Sequence, residues 1–124
     1  MNIGNPIHIG DTLREALTAS RAVSTIVGSH IYPYTTKMEV NQPHVVYDDI
    51  SVEYFNTKDG LEVSSASVAI HANASDYNVS RNLASAIIDT LLESDHVASM
   101  NVDCEFNDAA NLYVHNITIS ISYE

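Results

Sequence analysis

Basic residues are scarce: 5 Lys and Arg stand against 16 Asp and Glu in 124 residues, for a formal net charge of −11. A nucleic-acid binder needs cations to displace counterions from phosphate, and a polybasic membrane anchor needs the same side chains. This composition argues against both. Cysteine is nearly absent. Cys104 stands alone, so no intrachain disulfide can form, which fits a reducing compartment. No apolar run reaches the length of a bilayer span. The start, Met1 to Gly10, has neither the cationic nor the apolar stretch of a secretion signal. The acceptor patterns at Asn73, Asn78 and Asn116 therefore read as chance matches for glycosylation. Internal repeats and low-complexity stretches are missing as well.

What is present is an ordinary apolar fraction, 45%, arranged with clear periodicity. Its length suits a single domain over residues 1–124, able to bury a core without metal or disulfide. Residues 1–11 read as an irregular lead-in. Thr12 and Glu15 have capping-box spacing at the start of a helix, with Leu13, Ala16, Leu17 and Ser20 on one face. Ser20 restarts a short second helix that turns Val23, Ile26 and Val27 inward. Gly28 suits the left-handed position after it. Residues 28–44 show no period and read as a long loop gripped by Tyr32, Tyr34, Met38 and Val40.

Val45 to Phe55 reads as a strand with Val46, Ile50, Val52 and Tyr54 on one face. Asp59-Gly60 marks a hairpin turn. The following strand, Leu61 to about Ala74, has odd-numbered apolar positions first and even-numbered ones after. A strand cannot change face without an insertion, so a bulge is expected near Ser64-Ser65. The main amphipathic helix begins at Ser75 or Asp76 and runs to about Glu93. Its inward row reads Tyr77, Ala84, Ile87, Ile88, Leu91 and Leu92. Two alternating strands close the chain: Met100, Val102, Cys104 and Phe106 in one, Ile117, Ile119, Ile121 and Tyr123 in the other. The resulting expectation is α+β. It comprises a mostly antiparallel four-stranded sheet, an N-terminal helical segment and one long amphipathic helix packed on one face.

Little in the sequence argues for catalysis. The six histidines (His8, His30, His44, His71, His96 and His115) show no metal-ligand spacing, so no metal and no cofactor is expected. His71 and His115 fall in strands and are in a position to meet across the sheet. Cys104 lies between Asp103 and Glu105, which disfavour a thiolate, and alternation points it inward as a small apolar filler. Asp48 and Asp49 are adjacent in a strand and point to opposite faces. One of them therefore sits among apolar neighbours and needs a partner. The chain reads as a non-enzyme.

The order of features narrows the choice. A short helix leads into Ala22-Val23-Ser24-Thr25-Ile26-Val27-Gly28 and then Ser29-His30-Ile31-Tyr32-Pro33. Gln42-Pro43-His44-Val45-Val46-Tyr47 follows, then a strand pair, then the helix at Tyr77-Asn78-Val79-Ser80-Arg81-Asn82-Leu83-Ala84. This resembles the tail-terminator (tail-completion, tail-to-head joining) proteins of long-tailed bacteriophages and prophages over roughly residues 12–123. The resemblance implies a ring of this chain, typically six copies, that caps the tail tube and docks the head-side connector. It implies as partners the tube protein and a head-completion protein, with duplex DNA passing through unbound and no membrane. The location implied is the virion tail or neck, after assembly in the bacterial cytoplasm. The family has no catalytic residues to carry over. Two other readings stay open: another connector or neck adaptor, and a small cytoplasmic ligand-binding or enzymatic domain.

Charge position joins this resemblance. The cations Arg14, Arg21, Lys37, Lys58 and Arg81 all precede residue 82, whereas residues 82–124 hold only acids. An acidic lumen lets DNA pass without retention, and Asp103 and Glu105 are the candidates to line it. Candidate partner contacts are Tyr32, Tyr34, Lys37, Met38 and Glu39 in the long loop, with Lys58 and Asp59 at the hairpin tip. Tyr and Met suit interface cores.

Overall fold

The structure is a computed structural model and describes residues 6–34, 42–94 and 96–122. After a single 3₁₀ turn at Pro6–His8 come helices α1 (Ile9–Ala19) and α2 (Arg21–Val27). The short strand β1 (Ile31–Pro33) follows. Strands β2 (His44–Thr57) and β3 (Gly60–Ala74) form a hairpin, α3 spans Tyr77–Leu92, and β4 (Val97–Asn107) and β5 (Leu112–Ser122) close the chain.

Helix α1 begins earlier than the Thr12–Glu15 spacing suggests, so residues 6–11 are helical rather than an irregular lead-in. His8 occupies its N-cap without a side-chain cap bond, and Thr12 Oγ1 bonds the His8 carbonyl from within the helix. The second start is as expected. Ser20 accepts from the Val23 N–H and also from the Thr90 hydroxyl of α3. Gly28 closes α2 at φ 61°, ψ −122°, a backbone region open to glycine and costly for other residues. Asp76 caps α3 by accepting from the N–H groups of Asn78 and Val79.

The expected four-stranded sheet is corrected to a mixed sheet of five strands in the order β1-β2-β3-β5-β4. The extra strand is β1, which pairs parallel to β2 with Ile31 opposite Val45 and Pro33 opposite Tyr47. Three residues are too few to show a period, and Pro33 reads as a strand breaker. The pairing exists because the chain returns alongside β2. The Val45 N–H bonds the His30 carbonyl and the Tyr34 N–H bonds the Tyr47 carbonyl at its two ends. Proline is tolerated here because β1 is an edge strand. All other pairs are antiparallel.

Two bulges set which face each side chain takes. Between Glu53–Ser65 and Tyr54–Val63 the register skips Ser64, the insertion anticipated from the change of apolar parity. A second lies in β2 between Asp48 and Ser51, where Asp49 takes φ 51°. It splits the single apolar face expected for β2. Val45 and Tyr47 are buried before it, while Ile50 and Val52 pack on the core after it. Val46 therefore lies on the other side.

All three helices cover one face. Ile9, Leu13 and Leu17 of α1, Val23 and Val27 of α2, and Leu83, Ile87 and Leu91 of α3 are at most 2% exposed. They meet Ala66, Val68, Ile70 and Ala72 of β3 and Ile117, Ile119 and Ile121 of β5 in one core. Each such Leu or Ile contributes roughly 1.5–3 kcal/mol by leaving water. Tyr77 and Leu92, expected to face inward, are exposed at the two ends of α3. Val97 and Met100 of β4 pack against this core, but the cover stops short of the rest of the strand, so Val102, Cys104 and Phe106 stand exposed although they point to the helix side. The inward packing expected for Cys104 does not occur.

Candidate functional site

The face of the sheet away from the helices carries the polar and titratable side chains. Strand alternation places His44, Val46 and Asp48 of β2 there, with Ala69, His71 and Asn73 of β3, Val114 and Asn116 of β5, and Asp103 and Glu105 of β4. A shallow groove of about 400 Å³ runs over these strands, lined among others by Tyr34, His44, His71, Glu105 and Asn116. Among the described residues no Lys or Arg lines it.

Across this face runs a chain of hydrogen bonds that joins four strands. His71 Nε2 lies 2.8 Å from Asp48 Oδ1, and His71 Nδ1 lies 2.5 Å from Asn116 Oδ1. Asn116 Nδ2 donates to Asp103 Oδ1 at 2.8 Å. Burial works against a charge on His71, but bonds to Asp48 and Asn116 and the negative charges of Asp48 and Asp49 outweigh it and raise the pKa. The unpartnered aspartate anticipated in β2 is thus Asp48, and its partner is His71. Sequence spacing could not show this, because it depends on register.

His71 and His115 do not meet. The register sets His71 opposite Asn116, and His115 points to the helix side. There its Nδ1 lies 2.7 Å from Ser80 Oγ, whose hydroxyl bonds the Ala72 carbonyl. Burial first, and the nearby Arg81 charge second, lower the His115 pKa. Ser80 is fully buried and its proton is committed to a backbone oxygen, so the pair fastens α3 to the sheet and exposes no nucleophile. Among the described residues no group of His, Cys, Asp or Glu is arranged to hold a metal.

The expected contact residues fall in three places. Tyr32 is half-buried and tied down: His30 Nδ1 bonds its hydroxyl at 2.7 Å, and Gln42 donates to the other ring nitrogen of His30. Tyr34 is 60% exposed at φ 61° and lines the groove. Lys37, Met38 and Glu39 lie outside the described residues. Lys58 and Asp59 form the two-residue turn between Thr57 and Gly60 and are exposed. That turn ends an arm. From Tyr54–Val63 to Thr57–Gly60 the hairpin runs past Ser65–Ser122, the last β3–β5 pair among the described residues, by about 13 Å at strand rise. Asp103 and Glu105 are exposed on the groove side of β4, which has no outer partner strand among the described residues. The structure thus brings Tyr34 and Glu105 to one groove and leaves Lys58 and Asp59 on the arm.

No helix among the described residues is long and apolar enough to cross a membrane. Among curated proteins none matches the sequence. A solved chain from a structure titled "Virion of native gene transfer agent (GTA) particle" shares the fold. Its TM-score is 0.70 at 13% identity, over 89% of this chain and 90% of that one. The family model described as tail completion protein gp17 matches residues 11–119. With a match across nearly the whole domain, the chain belongs to the tail completion protein gp17 family.

Proposed function

We propose that this protein closes the end of a phage-type tail tube as a ring of identical copies, six in number, and presents the surface that docks the head-side connector. Family membership makes it a structural protein of tail assembly. The ring, its partners (tube protein and head-completion protein) and the direction of its faces are our reading.

The observation that carries it is the division of the sheet into a face packed by the helices and an opposite face that carries acidic residues. Asp48, Asp103 and Glu105 stand on that face, and among the described residues its groove has no cation in its lining. With that face turned to the lumen, duplex DNA passes a wall that offers phosphate no attractive contact. The free edge of β4 and the projecting hairpin give neighbouring copies or partners backbone groups and side chains to engage. Repeated unlike contacts close into a ring when the rotation permits. Tyr34, Met38 and the arm residues Lys58 and Asp59 are the contacts we assign to tube or connector.

Electron microscopy of the purified protein mixed with tail tubes tests the reading. A ring on one tube end is the expected result, and bare ends overturn it. An averaged map showing Asp103 and Glu105 on the outer wall removes the lumen assignment while leaving the cap. Replacing Tyr34 and Met38 with Ala is expected to leave the fold intact and lower the yield of joined particles. Wild-type yield rules these two out as contacts.

A further inference from the structure

We infer that Asp48, His71, Asn116 and Asp103 form a proton-dependent clasp, which ties edge strand β4 to the middle of the sheet while it holds one extra proton and loses a link when that proton leaves. The proton count of these four side chains is the same whichever way the face points in an assembly.

The geometry fixes each donor. Ionised Asp103 can only accept, so the Asn116 amide must turn its NH₂ toward it. That orientation presents Asn116 Oδ1, a second pure acceptor, to His71 Nδ1. Asp48 presents a third acceptor to Nε2. With both aspartates as carboxylates, all three links are made only when both ring nitrogens carry hydrogen, which is the imidazolium. A neutral ring has one N–H. It either leaves Asp48 unbonded or faces Asn116 acceptor to acceptor. Turning the Asn116 amide over moves the same conflict to Asp103.

The surrounding charges favour keeping the extra proton. Asp48 bonds the ring from β2 and the charge of nearby Asp49 acts on it as well, while Asp103 and Glu105 stand on the same face of the sheet from β4. His44 lies on the same face of β2, and Tyr34 borders the groove. The raised His71 pKa agrees with this. Its sign follows: the clasp is complete below the ordinary histidine value of 6.5 and opens as pH rises through the higher folded value.

NMR of the ¹⁵N-labelled full chain between pH 5 and 9 tests the inference. Both ring nitrogens of His71 are expected to be protonated at pH 6, with a midpoint above 6.5. The Asn116 side-chain NH₂ and the β4 amides around Asp103 are expected to shift with that midpoint. Asp103→Asn supplies a donor that lets a neutral ring satisfy the chain, so it should lower the midpoint. Glu105→Gln removes an equal charge from the same strand and touches none of the links, so it should lower the midpoint less. A single neutral tautomer at pH 6 overturns the clasp. So does a His71 titration that leaves Asn116 and β4 unmoved, or an equal effect of the two substitutions. The wild-type titration decides the matter even where a variant does not fold.

Discussion

At the scale of single residues, backbone conformation and hydrogen-bond completeness set the costs. A Cβ added at Gly28 would meet nothing within 4 Å, so any penalty for Gly28→Ala comes from φ 61° alone. We predict a loss of about 1–3 kcal/mol in urea unfolding. Asp76→Ala strips the cap from α3 and leaves two N–H groups without their carboxylate. Its expected cost is roughly 0.5–2 kcal/mol. His115 behaves oppositely to His71. Its folded pKa lies below the unfolded one because it is buried and near Arg81. The stability it contributes is present above the unfolded value and is lost as pH falls through the folded one. Replacing it with Gln should flatten that acid limb in denaturation midpoints measured from pH 7.5 to 5. Cys104 is exposed, so a thiol reagent should modify the native protein fully without denaturant. Protection until unfolding would contradict the position of β4.

At the scale of elements, pattern and cover must be separated. Ile119 and Val102 both point to the helix side and both look inward from alternation. Ile119 sits beneath α3 at 1% exposed, whereas Val102 is 42% exposed. Ile119→Ala should cost about 2–5 kcal/mol, and Val102→Thr should stay within about 0.5 kcal/mol. Thermal or urea unfolding of the two variants distinguishes them directly. The same contrast explains which elements were legible. The restart at Ser20, the cap at Asp76 and the bulge at Ser64 each have a local chemical cause, written in neighbouring residues. Strand β1 does not. Its three residues become a strand only because β2 offers a parallel edge. The bulge at Asp49 also escaped, because Val46, Ile50, Val52 and Tyr54 already make a plausible single face.

At the scale of the whole molecule, the described helices all lie on one face, and the acidic residues Asp48, Asp103 and Glu105 stand on the other. The proposed lumen assignment makes a prediction about DNA. Asp103→Lys combined with Glu105→Lys should leave capping of tubes intact in micrographs and reduce DNA delivery by completed particles. Unchanged delivery would place these acids away from the channel. The chain of Asp48, His71, Asn116 and Asp103 belongs to this scale too, since its members come from β2, β3, β5 and β4.

The amino-acid order by itself determined the class of the protein. A formal charge of −11, strict strand alternation, a capped amphipathic helix and the Val-Gly to Tyr-Pro run were enough for an α+β domain resembling tail-completion proteins. These signals are local, because periodicity and capping act over a few residues. The fifth strand, the edge position of β4 and the partner of Asp48 come from long-range packing. Those depend on strand order and register, which are set by how the helix layer covers the sheet and by where two bulges shift the pairing. One residue of register exchanges the faces of a strand, and no local pattern carries that information.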